Sequence, residues 1–158
     1  MVDSRLRNAP IFKGLSDRQL LQIIMSGSEQ PFLKGDGLFL QGEVSDGLFI
    51  VLRGRVKLVR NASNGAAAII EISGAGDELT AFSCIENRPY SSSAKALTDG
   101  SVFRIPGEHF RAMSQEIPAL GANILRILGA RYHDLLDNFT SLAAYKVEGR
   151  LCIVMSQL

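Results

Sequence analysis

PFLKGDGLFLQGEVSDGLFIVLRGRVKLVR, residues 31–60, alternates short apolar runs with glycine-containing turns. The runs are rich in the β-branched and aromatic residues that favour strands, and a turn signal follows each of them. The same character continues to Pro106 through the runs AAIIEIS, AKALT and SVFRI. This pattern predicts an antiparallel sandwich or barrel between Pro31 and Pro106.

Helical signals lie on both sides of this β region. Ser16 and Gln19 form an S-x-x-Q capping box at the start of an apolar helix that Gly27 ends. After Pro106, the segment GEHFRAMSQEI predicts a short helix, and Pro118 begins a second one that meets no strong breaker before Ala144. About 26 helical residues make a rod of roughly 40 Å, long enough to cross the whole β region.

The long helix carries two apolar stripes. One has the alternating spacing of three and four residues that is typical of a two-stranded coiled coil; it consists of Gly121, Leu125, Leu128, Tyr132, Leu135, Phe139 and Leu142. The other consists of Leu120, Ile124 and Ile127, and Leu136 can extend it. Two stripes indicate two contacts, the chain's own β region and the same helix of a second copy, so we expect a homodimer. A single wide core-facing stripe in a monomer is the alternative.

Composition excludes several classes of protein. The chain has 158 residues with 46% hydrophobic and 21% charged residues, a net charge of +1, and no apolar run of the roughly 20 residues that span a bilayer. We therefore expect a cytoplasmic protein without membrane contact. A domain that binds DNA by itself usually has an excess of Lys and Arg, which this nearly balanced sequence lacks. Cys84 and Cys152 have no CxxC partner, so neither a disulfide framework nor a metal site is expected.

A second informative segment is GAGDELTAFSCIENRPYSSSAKA, residues 74–96. Its Gly76-Asp77 turn, its polar excursion ending in Arg88-Pro89 and its re-entry into an extended run at Ser91 resemble the phosphate cradle of the Crp/Fnr family of bacterial regulators. The turns at residues 34–36, 41–43, 45–47 and 53–57 are similar, in order and spacing, to the corners of that family's eight-stranded β-roll. The resemblance implies an α+β, mainly β fold: an antiparallel double-stranded β-helix, jelly-roll-like, with an N-terminal helix and a long C-terminal dimerisation helix.

The cradle departs from the family pattern where a cyclic nucleotide is held. Thr80 and Ala81 stand at the family's Gly-Glu, and Tyr90 stands at its Arg. A buried phosphodiester needs a charge-assisted donor, which a guanidinium supplies bidentately and a neutral phenol does not. Leu135 and Leu136 align with the small hydroxyl residues that meet adenine from the family's long helix, and leucine forms no hydrogen bond with a base. Cyclic AMP bound in the usual way is therefore not expected.

These residues together predict an uncharged apolar effector pocket under the long helix. Its candidate lining consists of Thr80, Ala81, Phe82, Cys84, Arg88, Tyr90, Ser91, Ser92, Leu135 and Leu136. The effector itself is unknown. Several relatives sense gases through haem, for which His133 and His109 are the candidate axial ligands.

Two other functions stay open at this point. One is a cyclic-nucleotide-binding module that recruits Arg88 and the serines to the phosphate, and the other is a ligand-free dimerisation scaffold. Cys84 as a redox reporter is a minor alternative. No arrangement of nucleophile, base and metal is visible, so we do not expect an enzyme.

The sequence divides into three segments. Residues 1–117 are expected to form the β-roll sensory domain with flanking helices, 118–145 the dimerisation helix, and 146–158 a hinge with the first helix of a winged helix-turn-helix. DNA contact is expected only through the remainder of that last domain, which is missing from this sequence. Lys146 replaces the Asp with which most relatives cap the next helix. We therefore expect the long helix and the hinge helix to merge into one rod.

Overall fold

The computed structural model describes the backbone of residues 3–156 and the side chains of residues 3–144. Its helices are α1 (Ser4–Arg7), α2 (Asp17–Ser26), α3 (Ala81–Glu86), α4 (Gly107–Glu116) and α5 (Pro118–Ser156), with a 3-10 turn at Pro10–Phe12. Its strands are β1 (Ser28–Phe32), β2 (Gly37–Phe39), β3 (Gly47–Arg53), β4 (Val56–Asn61), β5 (Ala67–Ser73), β6 (Ser93–Ala96) and β7 (Gly100–Pro106).

The strands form two antiparallel sheets, which confirms the predicted fold class. One sheet has the order β1-β7-β3 and the other the order β2-β6-β4-β5, and the two do not close into a barrel. The resemblance implied eight strands, whereas residues 3–156 form seven. A single bridge between Ile50 and Glu78 precedes α3. Because α3 begins at Ala81, three residues after that bridge, the extended segment has no room to lengthen into a further strand.

The core of the roll is an aromatic and aliphatic cluster on the inward faces of both sheets. It comprises Phe32, Phe39, Phe49, Val51, Val56, Leu58, Leu79, Tyr90, Ala94, Ala96 and Val102. Successive residues of a strand point to opposite faces, so Ala94 and Ala96 of β6 face inward while Lys95 is exposed. Tyr90, which precedes β6, is also buried in this cluster.

The turn between β3 and β4 shows why glycine punctuates this region. Gly54 has a φ of +85°, in the left-handed region that glycine adopts without strain. A Cβ at this position would lie 2.6 Å from the carbonyl oxygen of Asp99. The turn therefore needs glycine both for its backbone angle and for the close approach of the chain on its other side.

The predicted helix signals are present at both ends of the roll. The Ser16 side chain accepts from the Gln19 amide and the Gln19 side chain accepts from the Ser16 amide, so the capping box before α2 is complete. After the roll, α5 runs from Pro118 to Ser156 without interruption. The helix therefore passes through Lys146 as one rod, as the missing Asp cap predicted.

The chain consists of two compact units, and the boundary between them falls within α5. The first extends to Ile124 and the second begins at Leu125. In the first unit Leu120 and Ile124 are buried, and Nδ2 of Asn123 donates to the carbonyl oxygens of Ile11 at 2.9 Å and Lys13 at 2.8 Å. The first two turns of α5 are thus fixed to the N-terminal segment.

Candidate effector site

Tyr90, predicted to stand at the position of the family's phosphate-binding Arg, lies inside the roll. Its side chain is only 4% exposed, and its ring stacks on that of Phe39 with the centroids 4.3 Å apart. Its amide donates to the Glu43 carbonyl oxygen and its carbonyl accepts from the Gly42 amide, both at 2.9 Å. The turn that carries Gly42 therefore fixes the Tyr90 backbone, and the phenol points towards the following corner of the roll.

The Tyr90 hydroxyl makes two hydrogen bonds to Asp46. It donates to Oδ1 of Asp46 at 2.6 Å and accepts from the Asp46 amide at 3.1 Å. Burial and the hydrogen bond to the Asp46 carboxylate raise the pKa of Tyr90 to about 12. The phenol is therefore neutral at physiological pH and gives an anion no charge to pair with.

Arg104 of β7 completes this network. Its Nη2 donates to Oδ2 of Asp46 at 2.8 Å and to the Asp46 carbonyl oxygen at 3.1 Å. Burial acts to raise the pKa of the Asp46 carboxyl, but the hydrogen bonds from Tyr90 and Arg104 and the charge of Arg104 outweigh it and hold that pKa below its ordinary value. Asp46 is therefore ionised and joins the phenol to the guanidinium.

Thr80 and Ala81, at the position of the family's Gly-Glu, are buried and make internal hydrogen bonds. The Thr80 hydroxyl donates to the Gly47 carbonyl oxygen at 2.8 Å and accepts from the Phe49 amide at 3.2 Å. The Ala81 amide, the first of α3, donates to Oε2 of Glu78 at 2.8 Å. A carboxylate of the chain itself thus already occupies the start of this helix.

Cys84 lies deeper, between α3 and α4. Its side chain is fully buried, its carbonyl oxygen accepts from Nη1 of Arg111 at 3.0 Å, and burial raises the pKa of its thiol to about 11. The thiolate is the reactive form of cysteine, so both burial and the raised pKa disfavour reaction of this thiol. Phe82 of the same helix is half-buried.

The remaining cradle residues do not converge on one point. The Arg88 side chain is 75% exposed and its Nε lies 3.3 Å from Oε2 of Glu86. Ser91 is exposed, whereas Ser92 is buried with 4% exposure. Thr80, Ala81, Cys84, Tyr90 and Ser92 are thus buried, whereas Arg88 and Ser91 lie at the surface.

The second unit carries the predicted roof and dimer residues. Leu135 is 67% exposed and Leu136 44% exposed. The other stripe side chains that were predicted to form the dimer seam are exposed as well: Leu125, Leu128, Tyr132, Phe139 and Leu142.

Neither histidine lies in the interior, since His109 and His133 are both exposed. No group of three or more His, Cys, Asp or Glu side chains among residues 3–144 is arranged to hold a metal ion. No helix of the described residues has a stretch that is long and apolar enough to cross a membrane.

Sequence reasoning missed the charged members of this site. The sequence places Asp46 only in a turn, and it gives no role to Arg104. The predicted pocket is therefore uncharged, whereas the structure contains both charged groups. The available signal was the alternation in β7: Val102 faces the core, so Arg104, two residues further on, faces the same side. A guanidinium therefore lies beside Tyr90, although the Asp46 carboxylate binds it.

Comparison with known proteins agrees with this architecture. The family profile of the cyclic nucleotide-binding domain matches residues 29–116. A CRP-like cAMP-activated global transcriptional regulator of Mycobacterium tuberculosis is 27% identical over 157 residues, which are 99% of this chain and 70% of that protein. The cyclic AMP receptor protein of Thermus thermophilus is 22% identical over 82% of this chain and 60% of its own length.

Solved structures show the same fold. The catabolite activator protein of Thermus thermophilus superposes with a TM-score of 0.74 at 22% identity, over 85% of this chain and 63% of that chain. The sensor domain of a transcriptional regulator from Pseudomonas aeruginosa gives a TM-score of 0.72 at 24% identity, over 85% of this chain and 90% of that domain.

An enzyme also shares this module. The lysophospholipase NTE1 of Phaeosphaeria nodorum is 29% identical over 104 residues, which make up 66% of this chain but only 7% of that protein.

The roll with its short cradle helix and long C-terminal helix defines a sensory domain of the kind found in transcription regulators. The chain belongs to the cyclic nucleotide-binding domain family, and the resemblance to Crp/Fnr regulators is confirmed.

Proposed function

We propose that the chain is the effector-sensing and dimerisation part of a cytoplasmic Crp/Fnr-type transcription regulator that does not respond to cyclic AMP in the usual way. The Tyr90–Asp46 pair carries this proposal. A phosphodiester at the family's position would meet a neutral phenol, already hydrogen-bonded to an ionised carboxylate, in place of a guanidinium.

The rest of the cradle supports the same conclusion. The first amide of α3 donates to the Glu78 carboxylate, which would repel a phosphate brought to this end of the helix. Arg88, the substitute that a non-standard phosphate site would recruit, lies at the surface beside Glu86. A ribose hydroxyl would find no acceptor on Ala81, where the family has Glu.

The exposed stripe of α5 supports the dimer. Side chains such as Leu125 at 70% and Phe139 at 73% exposure form an apolar seam that a second copy of the helix would bury. In the assembled regulator, an effector would change how two such helices cross and so reposition winged helix-turn-helix domains that follow the hinge. DNA would be contacted through those domains and not through the roll.

We propose a binding role and not catalysis for the chain itself. The family is a binding module, and the lysophospholipase match is confined to 7% of that enzyme. The region that the chain shares with the transcription regulators and with the lysophospholipase is thus the binding module.

Titration calorimetry with cyclic AMP and cyclic GMP tests the proposal. We expect no saturable heat with the unmodified chain. A triple variant, Thr80→Gly with Ala81→Glu and Tyr90→Arg, restores the family's residues and serves as the matched comparison. Saturable binding of either nucleotide to the unmodified chain would instead favour the cyclic-nucleotide module with a non-standard phosphate site. An absorption spectrum of the freshly purified protein tests haem directly.

The ligand-free scaffold is a separate outcome. If the chain forms a dimer but neither nucleotides, haem nor a small-molecule thermal-shift screen changes its stability, the sensing part of the proposal is wrong and the dimerisation part stands.

A further inference from the structure

A cleft opens beside Tyr90 at the edges of the two sheets. β1 and β2 are edge strands, one of each sheet, and Gln30 of β1 and Leu38 of β2 line the cleft. Its volume is about 430 Å³, and an adjoining hollow of about 250 Å³ shares Gln30, Leu38 and Phe49 with it. This size lies within the range of small-molecule sites in proteins.

Aromatic rings form the inner wall of the cleft. The Phe39 ring lies 5.5 Å from that of Phe49 and stacks on that of Tyr90, with all three residues lining the cleft. All three are buried in the core cluster, so their orientations are fixed by packing. Only 4–6% of each of these three residues is exposed, so a ligand meets a small part of each fixed ring, and a planar molecule can make that contact without reordering the protein.

Arg104 supplies the hydrogen-bond donors of the cleft. Among the described residues, its hydrogen bonds all leave from Nη2 and all go to Asp46. The donors on Nε and Nη1 remain available to a ligand. The Arg104 guanidinium carbon lies 6.0 Å from the centroid of the Phe49 ring, a contact that helps to orient the guanidinium. The Arg104 side chain is 26% exposed, so a ligand can still reach it.

The charges around the cleft select against anions. Besides Arg104, the lining contains the carboxylates of Glu43 and Asp46, so one positive charge faces two negative ones. An anionic ligand would have to compete with Asp46 for Arg104 and would meet the Glu43 charge as well. An uncharged carbonyl oxygen can accept from the remaining guanidinium donors and leave the Asp46–Arg104 pair intact.

We infer that this cleft binds an uncharged, flat small molecule that presents a carbonyl oxygen to Arg104. The site differs from the cradle at α3, since apart from Tyr90 it shares no residue with Thr80, Ala81 or the other predicted effector-pocket residues. Tyr90 separates the two and contributes its ring to the cleft. The inference concerns binding alone and does not depend on what the regulator controls.

Fluorescence titration with an aminomethylcoumarin tests the inference on the full chain. This probe is neutral and flat and carries a lactone carbonyl, and its aminocoumarin carboxylate analogue adds one negative charge to a similar ring. We expect saturable binding of the neutral probe and binding about tenfold weaker for the carboxylate. Equal or tighter binding of the carboxylate would contradict the charge argument.

Variants locate the site. Gln30→Trp places an indole in the cleft from an exposed strand position, so we expect it to abolish binding. Gln22→Trp, the same change at an exposed position of α2 outside the cleft, is the control and should bind as the unmodified chain does. Arg104→Met should weaken the neutral probe about tenfold, because the carbonyl loses a charged donor.

Two results would overturn the inference. One is no saturable signal from the neutral probe with the unmodified chain. The other is a titration that is the same in the Gln30→Trp and Gln22→Trp variants, which would place the probe elsewhere. Thermal unfolding of each variant identifies one that loses binding only because it loses its fold. In that case Gln30→Phe, a smaller ring at the same exposed position, replaces the blocking variant.

Discussion

The Tyr90 hydroxyl and Asp46 form a reciprocal pair, in which the phenol donates to the carboxylate at 2.6 Å and accepts from the amide of the same residue at 3.1 Å. Asp46 directly precedes β3, and Tyr90 lies three residues before β6, a strand of the other sheet. The pair therefore fastens the two sheets at the position where relatives with Arg would bind a phosphate.

Tyr90→Phe should lower the free energy of unfolding by about 1 to 2 kcal/mol. The ring stack on Phe39 would persist, but the Asp46 amide would lose its acceptor and the carboxylate one of its donors. Urea unfolding followed by circular dichroism measures the change. Ser63→Ala, which removes a hydroxyl from an exposed turn residue, is the control and should leave stability unchanged. Equal stability of the two variants would show that the pair contributes nothing.

Alkaline titration should reveal a late step that belongs to Tyr90. The folded pKa of Tyr90, about 12, lies above the free value of 10.0, so the protonated phenol favours the folded state. That contribution is fully present below pH 10 and is lost as the pH rises through about 12. Ultraviolet absorbance of tyrosinate follows the titration. In Tyr90→Phe the late step should vanish, and its persistence would assign it to another tyrosine.

Cys84 should resist thiol reagents while the chain is folded. Its burial and its raised thiol pKa of about 11 leave almost no accessible thiolate at neutral pH. Ellman's reagent on a Cys152→Ser variant, in which Cys84 is the remaining cysteine, measures this reactivity. We expect reaction only after guanidinium unfolds the protein. Rapid labelling of the native protein would revive the redox-reporter alternative.

Phe139→Glu should convert the expected dimer into a monomer without unfolding it. Phe139 is 73% exposed within the chain, so a carboxylate there costs the fold little, whereas in a seam between two helices it would lie next to its own copy. Sedimentation velocity measures the assembly, and Asn138→Glu, outside the stripe, is the control. A monomeric unmodified chain would favour the alternative of a single core-facing stripe.

Local signals in the sequence were sufficient to predict the fold. Glycine turns separated by β-branched runs, the Ser16–Gln19 capping box and the breaker-free run after Pro118 each depend on a few neighbouring residues, and each appears as predicted. The six-residue helix α3 was not predicted. It begins at the buried Ala81 amide, which bonds to Glu78, a contact that the turn-like sequence does not reveal.

The site was less predictable, because its chemistry comes from distant parts of the chain. The sequence predicted that Tyr90 stands where the family has Arg. The identity of the phenol's partner was not, since Asp46 lies 44 residues earlier and Arg104 58 residues after Asp46. Only the pairing of β3 with β7 brings these residues to one corner of the roll. The charged cleft therefore could not be deduced from the cradle alone.

Asn123 links the C-terminal end of the first compact unit to the segment near its N-terminus. Its amide group holds two carbonyls of the segment before α2 from more than a hundred residues away, and Leu120 and Ile124 bury themselves on either side of it. A fragment cut after Ile117 would lack all three residues. The carbonyl oxygens of Ile11 and Lys13 would then be left to bond with water, and the apolar surface that Leu120 and Ile124 cover would be exposed. Protein engineers who graft this sensor onto another output domain should therefore place the junction at least two helical turns beyond Pro118.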